Sequence, residues 1–498
     1  MPALELQGKL RKVGIELRSL QPNLVDQIWQ SCGVEPTEPV RLHPVKLAGI
    51  GTPEKLRQVR RKMVDNKADA LLVTALDEVA YLFNIRGGDV QHTPVVLAFA
   101  LVDMSGAAIF LDEGKLTSEV REYLQDCNVS IYPYASFDQA VAERAQSGQR
   151  VWMDTKRCNY SLYLASGSNG PAVAKRSPVA ELQAIKNEAE IKGMMEAHRR
   201  DGVALCAAFA QLERMVNSSG PVTEIDVDGA VTAARATQAG YLDRSFETIA
   251  GYGANAAIIH YVAQAESAAM VGTDSILLLD SGAQYQDGTT DVTRTLKFGK
   301  PTHEERQLFT RVLKAHIGLA TATFPDDVPC FMLDSFARKP LWEVAADYRH
   351  GTGHGVGAAL HVHEIPPYIG QRFENRDPLQ AGMIVSNEPG LYFEGRFGIR
   401  IENLMLVVEK ASCTTTGGFQ HRSSSIEVPA KGRRRRWQTL LGLAPAHAGT
   451  HSERPHRPII AVKRRACLPK RLPQAGRGGT FSDHAGTWEH RSPRLSSS

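Results

Sequence analysis

Short apolar runs alternate with amphipathic helical stretches between residues 46 and 180. The strand-like runs cover residues 69–73, 94–101, 107–111 and 151–153. A helix is predicted to start at Thr52-Pro53-Glu54, where a capping hydroxyl precedes a proline at the first helical position. This alternation predicts an α/β domain over residues 46–180.

A different pattern follows over residues 181–408. It begins with a long helical stretch, 181–213, and continues with a capping box, Thr223-Glu224-Ile225-Asp226, that opens a second helix. Strand-like segments then occur at residues 275–280, 289–298, 382–387 and 398–408. The turn-forming stretch 282–288 joins the first two segments and predicts a hairpin. The block is interpreted as an α+β domain.

The two ends of the chain do not predict a complete core. Residues 1–45 contain one helical candidate, around 23–30, and are expected to be a remnant of an N-terminal domain. Residues 409–498 are rich in Ser, Pro, Gly, Arg and His and are predicted to be a disordered tail. The tail contains 17 Lys and Arg against 5 Asp and Glu. The tail therefore carries a net charge of +12. Because the whole chain carries +4, residues 1–408 carry −8.

Composition excludes several classes of protein. Hydrophobic residues make up 43% of the chain, but no apolar run approaches the ~20 residues needed to span a membrane. The N-terminus lacks the apolar segment of a secretory signal, so a cytoplasmic location is predicted. Seven scattered cysteines without a C-x-x-C pair fit reduced thiols. The arginine run 433–436 lacks interleaved aromatic residues, so no nucleic-acid partner is expected.

Two aspartates lie at the predicted hairpin. Asp280 ends the apolar run Ile276-Leu277-Leu278-Leu279, where an ionised carboxylate is costly unless a cation accompanies it. Asp291 and Thr293 are two residues apart and are predicted to share a strand face, with the Thr293 hydroxyl supporting the Asp291 carboxylate. Taken alone, Asp280 is better explained as a turn-initiating residue than as a metal ligand.

The segment from His350 to Gly357 contains too many glycines for a regular element, which indicates close approach of its backbone to another group. Its His354 can bind a metal as neutral imidazole. Phosphate binding is a weaker alternative, because the segment lacks the G-K-[ST] ending of a P-loop and the G-x-G-x-x-G of a dinucleotide site.

Two glutamates, Glu388 in Asn387-Glu388-Pro389-Gly390 and Glu402 in Arg400-Ile401-Glu402-Asn403, lie in or just after apolar strands. An ordinary explanation for Glu402 is a surface ion pair with Arg400 on the same strand face.

The ordered combination D-x10-D, H-G-x-G-H, N-E-P-G and G-I-R-I-E-N resembles the pita-bread metallopeptidases: methionine aminopeptidase, prolidase and aminopeptidase P. Within that group, Ile258-Ile259-His260-Tyr261, Val362-His363-Glu364 and Leu82-Phe83-Asn84-Ile85-Arg86-Gly87 resemble the animal cytosolic Xaa-Pro aminopeptidase. The resemblance covers about residues 20–408. It implies a creatinase-like α/β middle domain over 46–180 and a pita-bread catalytic domain over 181–408.

The resemblance implies a metal pair. Asp280 would chelate one ion, Asp291 and Glu402 would bridge both, and His354 and Glu388 would complete the set. Four carboxylates and one imidazole suit hard divalent cations, and the family implies Mn²⁺. Two such ions ~3.5 to 4 Å apart would lower the pKa of a shared water and supply a hydroxide nucleophile.

The resemblance also implies the reaction: release of the N-terminal residue from peptides with proline at the second position. His260, His350 and His363 would contact the substrate or the developing oxyanion, and Glu388 would double as general base. His361 is expected to be only a surface or core histidine. Alternatives are a prolidase that takes Xaa-Pro dipeptides, a non-catalytic pita-bread binding protein, and an inactive isoform. A homodimer is left open.

The chain departs from the family pattern at both ends. Only the last part of the family's N-terminal domain is recognised before residue 45, and no pattern for a further strand or helical C-terminus is recognised after residue 408. The chain is therefore expected to be truncated at its N-terminus and aberrant at its C-terminus.

Overall fold

A computed structural model describes residues 2–18, 20, 24–29, 36–167, 170–218, 220–410 and 423–427. The helices within these residues are α1 (Pro2–Lys12), α2 (Leu24–Ile28), α3 (Val45–Ala48), α4 (Thr52–Asp65), α5 (Leu76–Leu82), α6 (Ser118–Asp126), α7 (Phe137–Gln146), α8 (Tyr160–Ala165), α9 (Pro178–Ala184), α10 (Glu188–Asn217), α11 (Glu224–Ala236), α12 (His303–Ala320) and α13 (Cys330–Trp342). No helix among the described residues is long and apolar enough to cross a membrane.

The strands of the first half are β1 (Arg41–Leu42), β2 (Ala70–Val73), β3 (Ile85–Arg86), β4 (Ala98–Asp103), β5 (Ala107–Leu111), β6 (Val129–Pro133), β7 (Val151–Met153) and β8 (Val173–Ala174). Those of the second half are β9 (Tyr241–Arg244), β10 (Ile249–Tyr252), β11 (Leu277–Ser281), β12 (Ala283–Tyr285), β13 (Gly288–Thr289), β14 (Val292–Leu296), β15 (Thr323–Pro325), β16 (Gly353–Gly355), β17 (Glu364–Ile369), β18 (Ile384–Asn387), β19 (Gly390–Phe393), β20 (Phe397–Arg400), β21 (Asn403–Lys410) and β22 (Ser423–Glu427).

The first half is a mixed six-stranded sheet with the order β6-β5-β4-β2-β7-β8. Side chains alternate across β2, so that Leu71 and Val73 join one apolar core and Leu72 joins the other. Helices α4, α5 and α6 contribute to the first core, whereas α7 and α8 contribute to the second. The predicted α/β character is confirmed.

The second half contains two larger sheet systems, each packed against a pair of helices. Helices α10 and α11 share a core with the sheet β10-β11-β14. Helices α12 and α13 share another with the sheet β15-β22-β21-β18-β16-β17. The predicted α+β character is confirmed, while the exact domain bounds 1–45, 46–180, 181–408 and 409–498 stay predictions.

One predicted helix start, that of α11, is confirmed, and another, that of α4, is wrong in detail. Thr223 caps α11 in a box with Asp226, as predicted. The prediction for α4 was wrong in detail, because Gly51 occupies the N-cap and the Thr52 hydroxyl instead donates to the Leu82 carbonyl oxygen at 3.2 Å. The Thr52 hydroxyl therefore makes a tertiary hydrogen bond instead of capping the helix.

The single helix predicted over residues 181–213 was also wrong. It divides into α9 and α10, because Ile185 pairs with Met383 in an isolated bridge. Asn187 then opens α10 with a capping box completed by Glu190.

Most of the predicted tail lies outside the described residues. The expectation of no further strand after residue 408 was wrong at β22, which pairs in antiparallel fashion with β21 and β15. The neighbouring strands supply the backbone hydrogen-bond partners for this serine-rich segment, so its low hydrophobicity did not prevent pairing.

Candidate functional site

Two of the predicted ligands lie on neighbouring strands of one sheet. Asp280 lies in β11, and Asp291 directly precedes β14. The strands are antiparallel, with Asp280 opposite Thr293, so the predicted pairing is confirmed. The intervening segment is not a simple turn, because it forms β12 and β13, which pair with each other and, through β12, with β9.

His354 and Glu388 come from a second sheet. His354 lies in β16, and Glu388 directly follows β18. The expectation that the glycines exclude a regular element was wrong for β16, but the predicted close approach is present. A Cβ atom at Gly353 would lie 2.0 Å from the Ser386 carbonyl oxygen, so glycine lets β16 reach β18.

Glu402 lies at a break in the strand predicted over residues 398–408. The strand ends at Arg400, and β21 begins at Asn403. The Glu402 amide donates to the Thr293 carbonyl oxygen, and the Thr293 hydroxyl donates to Glu402 Oε2 at 2.7 Å. The hydroxyl of Thr293 therefore supports Glu402 and not Asp291 as predicted, because the break turns the glutamate toward β14.

The three buried residues Asp291, His354 and Glu402 each bring one ligand atom within 4.8 Å of the others. His354 Nδ1 lies 2.8 Å from the Gly355 carbonyl oxygen and is therefore assigned the proton. The unprotonated Nε2 then faces Asp291 Oδ2 and Glu388 Oε1, each at 3.5 Å. A lone pair facing carboxylate oxygens is repulsive without a cation between them, so this arrangement fits metal binding.

The electrostatics of the carboxylates lead to the same conclusion. Burial and the neighbouring Asp280 raise the pKa of Asp291 well above its ordinary value. Burial and the neighbouring Asp291 do the same for Glu402, and burial raises the pKa of Glu388 to about 8. In addition, Asp280 Oδ1 is buried without a hydrogen-bond partner. Crowded anions with an unpartnered oxygen fit divalent cations.

Arg400 is a buried component of the site and does not form the surface ion pair that was the ordinary explanation for Glu402. Its guanidinium donates to Asp280 Oδ2 at 2.6 Å and to the Thr293 hydroxyl at 3.2 Å, so its hydrogen bonds do not go to Glu402. A third bond goes to the Tyr392 hydroxyl at 2.8 Å. The G-I-R-I-E-N motif contained this arginine, but no sequence signal pointed to Tyr392.

His350 is held by Tyr392. The Tyr392 hydroxyl accepts from Arg400 and lies 2.9 Å from His350 Nε2, so its own proton points to that nitrogen. His350 Nδ1 lies 2.7 Å from the Gly351 carbonyl oxygen and is the donor there. Burial lowers the pKa of His350 to about 3, which keeps the imidazole neutral.

His260, His350, His363 and all five predicted ligands line one cavity of about 940 Å³. His260 and His363 are exposed at its surface, and the His363 ring packs edge-on against His354, with 4.4 Å between ring centroids. His361 is half-buried, and its Nδ1 lies 2.8 Å from the carbonyl oxygen and 3.0 Å from the amide nitrogen of His363. The structure thus brings every predicted site residue together, and it adds a contact for His361.

The fold and site define a class, the two-domain metallopeptidases. The family model of metallopeptidase family M24 matches residues 192–409, and that of the creatinase/prolidase N-terminal domain matches residues 33–190. The chain is 42% identical over 446 residues to aminopeptidase P2 of Arabidopsis thaliana, covering 84% of this chain and 63% of that protein. It is 40% identical over 438 residues to a probable Xaa-Pro aminopeptidase P of Paracoccidioides lutzii, covering 84% and 71%.

Solved structures agree with this assignment. The X-prolyl aminopeptidase of Caenorhabditis elegans, described as a cytosolic enzyme with a di-nuclear active site, superimposes with a TM-score of 0.80 at 34% identity, over 86% of this chain and 69% of that one. The Xaa-Pro dipeptidase of Bacillus anthracis shares the fold, with a TM-score of 0.57 at 24% identity, over 72% and 95%. The chain belongs to the Xaa-Pro aminopeptidases of metallopeptidase family M24 and has a creatinase-type N-terminal domain and a pita-bread domain.

Proposed function

We propose that this protein is a metal-dependent aminopeptidase that releases the N-terminal residue from peptides with proline at the second position. The observation that carries the proposal is the convergence of five ligands and three histidines on one cavity. Relatives named aminopeptidase P2 and probable Xaa-Pro aminopeptidase P, at 42% and 40% identity, support the choice of substrate.

For the cofactor, we propose two divalent cations. Asp280 would hold one, Asp291 and Glu402 would bridge both, and His354 and Glu388 would complete the set. Oxygen-rich donors favour Mn²⁺ over metals that prefer thiolates. When bound, such a pair supplies Lewis-acid chemistry and lowers the pKa of water toward neutrality.

The protein's own groups would position the substrate and move protons. Glu388, at the edge of the carboxylate cluster and half-buried, is the proposed general base. His260 and His363, on the cavity surface, are proposed to donate to the developing oxyanion. His350 has both nitrogens engaged, so its Nε2 would meet the substrate only by exchanging the bond to Tyr392.

The cavity also contains apolar side chains that suit proline. Phe246, Ile249, Ile259 and Val262 line it. A prolyl imide has no N–H and restricts the residue before it, so a pocket need not supply a backbone acceptor for that nitrogen.

The deciding experiment compares Mn²⁺-dependent hydrolysis of Xaa-Pro-Pro tripeptides with that of Xaa-Pro dipeptides. We expect release of the first residue from the tripeptide. Turnover of the dipeptide alone would indicate a prolidase. Binding of Mn²⁺ without turnover of either peptide would indicate an inactive isoform, and correct folding without Mn²⁺ binding would indicate a non-catalytic binding protein.

We also propose a cytoplasmic location, supported by the description of the Caenorhabditis elegans enzyme as cytosolic. A homodimer is a further proposal, and light scattering of the purified chain at several concentrations tests it.

A further inference from the structure

Arg86 comes from the first half of the chain, in the Leu82-Phe83-Asn84-Ile85-Arg86-Gly87 motif, which the proposed chemistry does not use. Its side chain is 4% exposed, and its hydrogen bonds go to backbone carbonyl oxygens. Two of these oxygens lie nearby, on Ala80 and Ile85. The other two belong to the second half of the chain, where Nε donates to Ala359 at 2.6 Å and Nη2 to Ala358 at 3.3 Å.

Ala358 and Ala359 lie in a tight loop, residues 357–361, which we call the inserted loop. The Gly357 amide donates to the His361 carbonyl oxygen, and a Cβ atom at Gly357 would lie 2.8 Å from Leu360 Cβ. Ala359 has a φ of 51°, a left-handed conformation that an alanine adopts only when its surroundings hold it there.

Leu360 fixes the inserted loop to the first half. It is 2% exposed and packs in the apolar core that is otherwise built from residues of the first half, such as Ala80 and Leu82. Gln284 Nε2 donates a hydrogen bond to the Leu360 carbonyl oxygen at 2.9 Å. The loop is therefore clamped on its backbone by Arg86 and Gln284 and on its side chain by an apolar core.

The inserted loop connects two histidines of the site. His354 precedes it and His363 follows it, and the imidazole of His361, at the end of the loop, contacts the backbone of His363. The His363 ring packs against His354, so a shift of the loop backbone would be expected to displace this ring.

We infer that Arg86 is a positioning residue for His363: by clamping the inserted loop, the first half of the chain sets the geometry of a substrate-contacting histidine and leaves metal binding to the second half. This inference rests on the proposed function for its catalytic consequence. Its structural part, the clamping of the loop, does not depend on activity.

The test compares Arg86→Gln with Arg60→Gln in the full chain. Arg60 is a matched control, because it also donates to two backbone carbonyl oxygens, those of Asp103 and Gly106, but far along the chain from the site residues. We expect Arg86→Gln to bind Mn²⁺ like the wild type and to lose kcat for a Xaa-Pro-Pro peptide by about tenfold or more, since small misplacements of catalytic groups are costly. Arg60→Gln should change kcat by less than about twofold.

A double-mutant cycle separates positioning from general destabilisation. In a His363→Asn background, Arg86→Gln should lower kcat by less than about twofold, because the group it positions is already absent. An equal loss in both backgrounds, or a parallel loss of Mn²⁺, would overturn the inference. If Arg86→Gln does not fold, Arg86→Lys, which keeps the charge but not the forked donors, replaces it, with a smaller loss of kcat expected and the same criteria applied.

Hydrogen exchange decides the structural part without relying on turnover. Amides of residues 356–363 should exchange about tenfold faster in Arg86→Gln than in the wild type, with no change in Arg60→Gln. Unchanged exchange there would overturn the inference even in an active enzyme. An inactive wild type with faster exchange in the variant would count against the proposed function alone.

Discussion

The site has two regions that are built differently. The metal wall (Asp280, Asp291, His354, Glu388, Glu402) lies on or beside paired strands, and four of its residues are buried. The histidine rim (His260, His350, His363) is exposed or half-buried and depends on residues distant in sequence. The wall is placed by strand pairing within two sheets and by the hydrogen bond from Thr293 to Glu402, whereas the rim depends on contacts with Tyr392, His361 and the inserted loop. Variants in the two regions should therefore separate metal binding from catalysis.

The largest effect is expected in the metal wall. Glu402→Gln removes one charge from the proposed bridging position, and we expect loss of Mn²⁺ with a fall in activity on the order of a thousandfold, because several kcal/mol of transition-state stabilisation is lost. Metal content after dialysis and kcat/KM measure this. Glu304→Gln, which breaks only an exposed pair with Arg396, is the control. Full Mn²⁺ occupancy in Glu402→Gln would refute its role as a ligand.

A smaller effect is expected in the histidine rim. His350→Gln should retain both metals and lose about a hundredfold in kcat, within the range typical of an acid–base group. Metal analysis and steady-state kinetics on the same preparation separate this outcome from that of Glu402→Gln. Loss of metal together with activity would show that the two regions cannot be separated.

Tyr392→Phe should have a weaker effect than His350→Gln. It removes the hydroxyl that joins Arg400 to His350 but keeps the ring, so we expect about a tenfold loss of kcat and retained metal. The kcat pH profile should also shift, because His350 Nε2 loses its donor. An unchanged profile and rate would show that this hydrogen bond does not contribute.

The sequence predicted the strand pairing around the site better than its tertiary contacts, for a physical reason. Asp280 and Asp291 follow from strand patterning, which is local. The predicted partner of the Thr293 hydroxyl was wrong. The interruption between β20 and β21 brings Glu402 to this hydroxyl from over a hundred residues away in sequence. Tyr392 carries no local signal at all. Alternation predicted four strands of the first-half sheet, β2, β4, β5 and β7, but not β6, β8 or the contact of Arg86 with the inserted loop.

The smallest effect on the site is expected from His316, which lies in α12 behind the metal wall. Its Nδ1 donates to the Asn387 carbonyl oxygen, and Asn403 Nδ2 donates to its Nε2. Burial lowers the pKa of His316 from 6.5 to about 4 in the folded protein. Between pH 6.5 and pH 4 the unfolded chain therefore binds a proton at this histidine that the folded protein does not bind. The free energy of unfolding decreases as the pH is lowered through this range.

We expect this histidine to cost about 3 kcal/mol of unfolding free energy between pH 6.5 and pH 4, at about 1.4 kcal/mol per pH unit. Denaturant unfolding at several pH values measures it. The free energy of unfolding should change less steeply with pH in His316→Gln than in the wild type. The same pH dependence in both proteins would contradict the lowered pKa of His316.

The central claim is that the five residues of the metal wall hold two divalent cations that support cleavage before proline. It is tested most directly by measuring Mn²⁺ per chain and Xaa-Pro-Pro cleavage in the same preparations of the wild type and Asp280→Ala. We predict two Mn²⁺ per wild-type chain, activity that a chelator abolishes and Mn²⁺ restores, and loss of both Mn²⁺ stoichiometry and cleavage in Asp280→Ala. Cleavage that survives in Asp280→Ala, or a wild type that binds no Mn²⁺, would contradict the claim.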